Sequence, residues 1–305
     1  MSIISNSSQS FYQRSLGQMS ALRGSIETLQ TQIATGQQLQ RASQDPAAAA
    51  RLRAITRSES LREIEEDNAA KLEQDLTSAA TELEGVSEII SRARELASQA
   101  GSDTNGASAR EAIAAELEQL SEELFSRANS LTLTGEPLFA GTAGGPAYTR
   151  AADGTVTYDG NTDSAAVPVA PGTEIERGVS GPQVFEFDVA GTPTTTFALL
   201  TGLANALRGG AADPGAAARD AIAGFDAALD ASTRNQTVIG TRLAWVEVVQ
   251  QDQFERSIAT AEERSRVGDT DVGDALARLQ QTLTALEATQ TTFTRVSSLT
   301  LFNAL

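Results

Sequence analysis

Residues 19–33, MSALRGSIETLQTQI, and residues 272–293, VGDALARLQQTLTALEATQTTF, decide the fold. In the first, Met19, Leu22, Ile26, Leu29 and Ile33 recur at spacings of three, four, three and four. In the second, Val272, Leu276, Leu279, Leu283 and Leu286 alternate four, three, four and three, and Phe293 resumes the register after a polar Gln290. A mean repeat of 3.5 residues marks a coiled-coil seam, narrower than the apolar face of an ordinary globular helix. Such a helix is marginal in water on its own. Both ends of the chain therefore need partner helices. The economical arrangement packs them on each other and on neighbouring copies.

Working inward, the first helix is expected over residues 8–34, with Gly36 as the left-handed residue that ends it. Asp45-Pro46 reads as an N-cap followed by proline at the first helical position. The helix it opens holds Leu72, Leu76, Ala79, Leu83, Val86, Ile90, Ala93, Ala97 and Ala100 in unbroken four–three alternation. From residue 46 to residue 100 that is about 80 Å at 1.5 Å per residue. Gly101 to Gly106 reads as a turn. Ser108 and Glu111 have the spacing of a capping box. The third helix carries Ile113, Leu117, Leu120, Leu124 and Leu131 and should return antiparallel along the second.

Near residue 135 the helical period stops, and Gly, Pro, Thr and Asp become frequent. Tyr148, Val156 and Tyr158 flank Asp153-Gly154, a hairpin signal. Residues 167–169, 173–177 and 184–189 read as further strands, and 197–207 as a short helix. Asp213-Pro214 then repeats the Asp-Pro start. Its helix, expected to about residue 264, carries Ile222, Phe225, Leu229, Ile239, Leu243 and Val246, with Ser232 and Gln236 as polar members and Gly240 as a weak point. The expected fold is mainly α with a β-rich insertion: long antiparallel helices from both chain ends form a coiled-coil-like rod bearing a small β domain. The expected segments are an N-terminal assembly helix (1–40), half of a helical rod domain (41–140), a variable β-rich domain (141–193), the other half of the rod (194–268) and a C-terminal assembly helix (269–305).

Composition narrows the function. The 305 residues carry a net charge of −17, which disfavours nucleic acid or an anionic membrane as partner. With no cysteine and no histidine, and Lys71 the single lysine, the usual nucleophiles, general bases and metal ligands are missing. We expect no enzyme and no cofactor. No apolar run is long enough to span a membrane. The opening MSIISNSSQSFYQR has neither the basic nor the apolar part of a cleaved secretory signal.

The stretch Ser43-Gln44-Asp45-Pro46-Ala47-Ala48-Ala49 resembles the signature of the bacterial flagellin family at the start of its long helix. Asp269 to Ala275 is similar to the family's acidic start to its last helix. The resemblance covers about 140 residues at one end and about 95 at the other, and the β insertion is the part that varies in the family. Leu138-Phe139-Ala140-Gly141 and the ending Ser298-Leu299-Thr300-Leu301-Phe302-Asn303-Ala304-Leu305 look more like the family's hook–filament junction members than its filament members. The resemblance implies an exported structural protein of the flagellum. Its partners would be identical copies in a ring, hook-associated protein 1, flagellin and, before secretion, a flagellar export chaperone. The assembly seam would comprise the residues named in the two opening stretches, with Phe302 and Leu305 as a terminal anchor. A short filament flagellin or a secreted glycan-binding adhesin is the competing expectation.

Other candidates read better as structure. Asp269, Asp271 and Asp274 lack the glycine and the glutamate of a calcium loop and suit a helix N-terminus. Glu63, Glu65, Glu66 and Asp67 read as a solvated helix face. Arg92, Arg94, Glu95 and Leu96 resemble the flagellin stretch read by the vertebrate toll-like receptor, but Ser91 stands where that stretch has glutamine. Trp245, beside Leu243 and Val246, is expected to pack. Asn6-Ser7-Ser8 and Asn235-Gln236-Thr237 match glycosylation sequons by chance.

Overall fold

In the computed structural model the described residues are 2–102 and 106–302, with side-chain surroundings described for 9–102 and 106–297. The elements run α1 (Ser2–Thr35), α2 (Pro46–Ala100), α3 (Ala107–Ala128), β1 (Tyr148–Arg150), β2 (Val156–Tyr158), β3 (Ala166–Ala170), β4 (Thr173–Glu176), α4 (Gly181–Phe185), β5 (Glu186–Val189), β6 (Thr192–Thr195), α5 (Thr196–Asn205), α6 (Pro214–Gly268) and α7 (Val272–Phe302). The fold is mainly α with a small β insertion, as expected. Its contacts define two units. One holds residues 1–60 and 255–305 and the other residues 61–254, and the cuts fall inside α2 and α6.

Local chemistry explains where the long helices start. The Asp45 carboxylate accepts from the N–H groups of Ala47 (3.0 Å) and Ala48 (2.9 Å), and Pro46 supplies the fixed φ. Asp213 does the same for Ala216 at 3.0 Å. That N–H is the main reason its carboxyl is held below the ordinary aspartate value. Gly36 takes φ +71° and ends α1 as expected. The third start differs. α3 begins at Ala107 with Gly106 as a cap that has no side chain to donate or accept. Ser108 therefore lies two residues past the N-cap position, too deep for a capping box, and Glu111 pairs with Arg208 instead. α1 also begins earlier than residue 8, and α6 runs through Gly240 to Gly268 without a break.

In the 61–254 unit, α2 and α3 lie antiparallel, as shown by Arg92 to Glu116 (2.7 Å) and Arg127 to Glu82 (3.2 Å). Leu72, Leu76, Leu83, Ile90, Leu117, Leu124, Phe225 and Ile239 are fully buried in one core. Leu131 is an exception to the expected stripe. It lies past the end of α3, paired with Pro137, and is exposed. The polar seam residues are satisfied within the chain. Ser232 and Ser87 share a 2.8 Å hydroxyl pair, and Gln236 donates to the Leu83 carbonyl and to Ser87, each at 3.0 Å.

The insertion consists of three antiparallel hairpins, β1–β2, β3–β4 and β5–β6. Asp153-Gly154 turns the first, with Gly154 at φ +88° and Asp153 accepting from the Thr155 N–H at 2.9 Å. Two expectations change. Val184 and Phe185 belong to α4 rather than to a strand. The third hairpin extends to Thr195, turned by Ala190 and Gly191 at positive φ, and Thr195 then caps α5 by accepting from Ala198 at 3.0 Å. An aromatic cluster of Phe139, Tyr148, Phe185 and Phe197, with centroids 5.1–5.7 Å apart, fills the base of the insertion. Side chains tie it to the long helices. Asn68 of α2 donates to the Pro168 carbonyl at 3.0 Å, and Gln253 of α6 donates to Val169 at 2.7 Å. Arg177 bridges Asp75 and Glu136.

Candidate assembly surface

The 1–60/255–305 unit is built on the α1/α7 pair. The two helices run antiparallel. The Tyr12 and Phe293 rings meet edge to face at 5.4 Å near one end, and the Thr270 N–H donates to the Gly36 carbonyl at 2.8 Å at the other. Gln37 and Asp269 bridge in the same region. α7 starts on Asp271, whose carboxylate accepts from Gly273 (2.9 Å) and Asp274 (3.1 Å), while Asp274 pairs with Arg278 one turn on at 2.8 Å. The acid cluster is thus consumed in starting a helix.

On α1 the opening stripe turns inward. Ile26 is buried, and Met19, Leu22, Leu29 and Ile33 are half-buried. The α7 stripe divides. Ala275 is buried, and Leu279, Thr282, Leu286, Thr289 and Phe293 are half-buried. Val272, Leu276 and Leu283, 50, 48 and 41 % exposed, stand outside that inner row. The sequence merged two adjacent rows because Leu279, Leu286 and Phe293 fit both periods. Phe302 ends α7, and its side chain, like all of Leu305, lies outside the described residues, so the terminal anchor does too.

Charge is divided unevenly along the chain. Residues 1–60 and 255–305 hold 11 basic and 10 acidic side chains, a net of +1. Residues 61–254 hold 12 and 30, a net of −18. The net negative charge therefore sits in the unit that carries the β insertion, and the unit carrying the terminal stripes is nearly balanced. Sequence reading took the charge as one number and missed this.

The remaining candidates resolve locally. Leu96 is buried, Arg92 is held by Glu116 and Glu95, and Arg94 pairs with Asp226. The hydrogen bond that Arg92 donates to Glu116, then the one it donates to Glu95, raises its pKa. In the acid run, Glu66 pairs with Arg62 at 3.0 Å. Asn235 is buried and donates to Gln183 (2.7 Å) and Ala231 (2.8 Å), so its sequon cannot accept a glycan in the folded chain. Trp245 corrects an expectation. It is 51 % exposed, because one residue's rotation about α6 carries it off the row on which Val246 is buried. Among the described residues no helix is long and apolar enough to cross a membrane.

Comparison with known proteins places these features. Residues 3–144 match the model of the bacterial flagellin N-terminal helical region. No curated protein matches the sequence. Solved structures share the fold. A protein of Vibrio parahaemolyticus described as flagellar hook-associated superposes with a TM-score of 0.68 at 21% identity, covering 74% of this chain and 100% of that one. The flagellar hook-associated protein-3 of Legionella pneumophila gives 0.64 at 14% identity, covering 71% and 98%. The flagellar junction protein FlgL of the same organism gives 0.59 at 14%, covering 72% and 99%. Residues 3–144 thus match a bacterial flagellin N-terminal helical region, and the chain shares its fold with these solved flagellar hook-associated and junction proteins.

Proposed function

We propose that this protein forms the junction between the flagellar hook and filament. A ring of identical copies would bind hook-associated protein 1 on the hook side and the first flagellin subunits on the other. Residues 1–40 and 269–305 would serve as the assembly helices, and an export chaperone would cover the α7 stripe until secretion through the flagellar channel. The observation that carries this reading is the α1/α7 pair. It uses one row of α7 internally and leaves Val272, Leu276 and Leu283 outward, in a unit whose charges balance. The leucine-phenylalanine words at residues 138–141 and 298–305 favour a junction member over a filament member. Filament flagellin is the competing reading, since the matched N-terminal region is a flagellin region.

Polymerisation separates the two. Purified protein is offered to isolated hooks and, separately, to flagellin seeds, and the growing ends are imaged. A junction protein adds a short cap to the hook and stops. Long filaments of this protein alone would overturn the junction assignment.

A further inference from the structure

The stretch 41–57 is cationic in an otherwise acidic chain. It holds Arg41, Arg51, Arg53 and Arg57 against one acid, Asp45. That carboxylate is already engaged, since it accepts from the N–H groups of Ala47 and Ala48 at the start of α2. The stretch forms one wall of an open cleft of about 650 Å³, within the size range of ligand-binding sites. α1 supplies Gln32 to this cleft, the α1–α2 connection supplies Gln38 and Gln44, α2 supplies Arg51, and the end of α6 supplies Arg266. All five lie in the terminal unit. Their hydrogen-bonding capacity is only partly used. Gln44 Oε1 accepts from the N–H groups of Gln40 (2.9 Å) and Arg41 (3.2 Å), which leaves the amide NH2 to donate. The Gln32 amide donates to the Gln38 carbonyl at 2.7 Å, which leaves its oxygen to accept. Arg51 donates from Nε to Glu263 at 2.7 Å, yet its side chain stays 59 % exposed. Arg266 is exposed and has no carboxylate partner among the described residues.

We infer that this cleft docks an extended, acidic peptide segment of a partner protein. Charge and donor geometry select the occupant. The planar guanidinium groups of Arg51 and Arg266 match carboxylates. The three carboxamides both donate and accept, which suits the alternating N–H and C=O groups of a peptide backbone. A nucleic acid or an anionic membrane is a poorer fit, because either extends far beyond the cleft and meets the −18 of residues 61–254. A short acidic segment instead engages only the local charge, within about one screening length. The inference does not rest on the junction reading and holds equally for a filament member.

Fluorescence anisotropy of labelled peptides with the full-length protein tests it. Labelled hexaglutamate should bind saturably at low salt, and labelled hexaglutamine should not. Arg51→Gln and Arg266→Gln should each weaken hexaglutamate binding about two- to fivefold, the range for an exposed ion pair. Glu263→Gln should tighten it, because it frees Arg51 from its partner within the chain, whereas a merely structural ion pair predicts no gain. Arg278→Gln is the charge-matched control. It removes one positive charge outside the cleft, where Arg278 pairs with Asp274, and should leave binding unchanged. Circular dichroism confirms that each variant keeps its helix content. Absence of saturable hexaglutamate binding, equal binding of hexaglutamine, or equal weakening by Arg278→Gln would overturn the inference.

Discussion

Two tyrosines five ångströms apart illustrate how much one hydroxyl decides. The Tyr148 and Tyr158 rings meet at a tilt of 53° with centroids 5.2 Å apart across the first hairpin. The Tyr158 hydroxyl donates toward the carbonyls of Phe139 (3.1 Å) and Asn161 (2.6 Å), whereas the Tyr148 hydroxyl is buried without a partner. Removing a bonded buried hydroxyl costs about 1 kcal/mol, and removing an unbonded one relieves a desolvation cost of similar size. Tyr158→Phe should therefore lower, and Tyr148→Phe raise, the free energy of denaturant unfolding, by about 1 kcal/mol each. Opposite signs support the assigned partners, and equal losses would contradict them. Burial, then the Glu186 charge, pushes the Tyr148 phenol well above its ordinary value. That contribution to stability is complete below the ordinary phenol pKa of about 10 and is lost as pH climbs from there toward the native value. Tyr148→Phe should flatten this alkaline slope. Gly141 shows the same economy in backbone. At φ +69°, packed on Asn161, it admits no side chain, and Gly141→Ala should cost about 1–3 kcal/mol in the same unfolding measurement.

At the scale of elements, the inner row of α7 is what closes the terminal pair. Leu279→Asp should open α1 and α7 to hydrogen exchange while amides of the 61–254 core keep their protection, because that core does not include Leu279. Unchanged protection in α1 would remove the row from its assigned place. The long helices were legible in sequence because three start on aspartate caps, two of them Asp-Pro, and because their rows repeat over many turns. The start of α3 was misread, since Ser108 and Glu111 satisfy the capping spacing while Gly106 already turns the chain. The insertion was legible in its first two hairpins, where Asp153-Gly154 announces one turn and residues 167–169 and 173–177 read as strands. α4 and β6 escaped because Val184 and Phe185 are apolar enough for either structure, and Pro193 masks a strand whose partner lies across a two-residue turn. The outward set of Val272, Leu276 and Leu283 was visible as residues but not as a separate row, since period alone cannot say which of two adjacent seams faces the partner helix.

At the scale of the whole molecule, charge and apolarity are divided between the two units. The −18 on residues 61–254 repels copies of itself, and the balanced terminal unit does not. Self-association should accordingly strengthen as sodium chloride screens the central unit, with light scattering rising between low and physiological ionic strength, where the screening length falls from about 30 to 8 Å. An association weakened by salt would assign the contact to ion pairs instead of Val272, Leu276 and Leu283. The central claim is that the chain's terminal helices exist to join hook to filament. A bacterial strain deleted for this gene tests it most directly, by electron microscopy of its cells and analysis of flagellin in the medium. Complete hooks without filaments, with flagellin shed into the medium, is the predicted result, and normal filaments on those cells would contradict it.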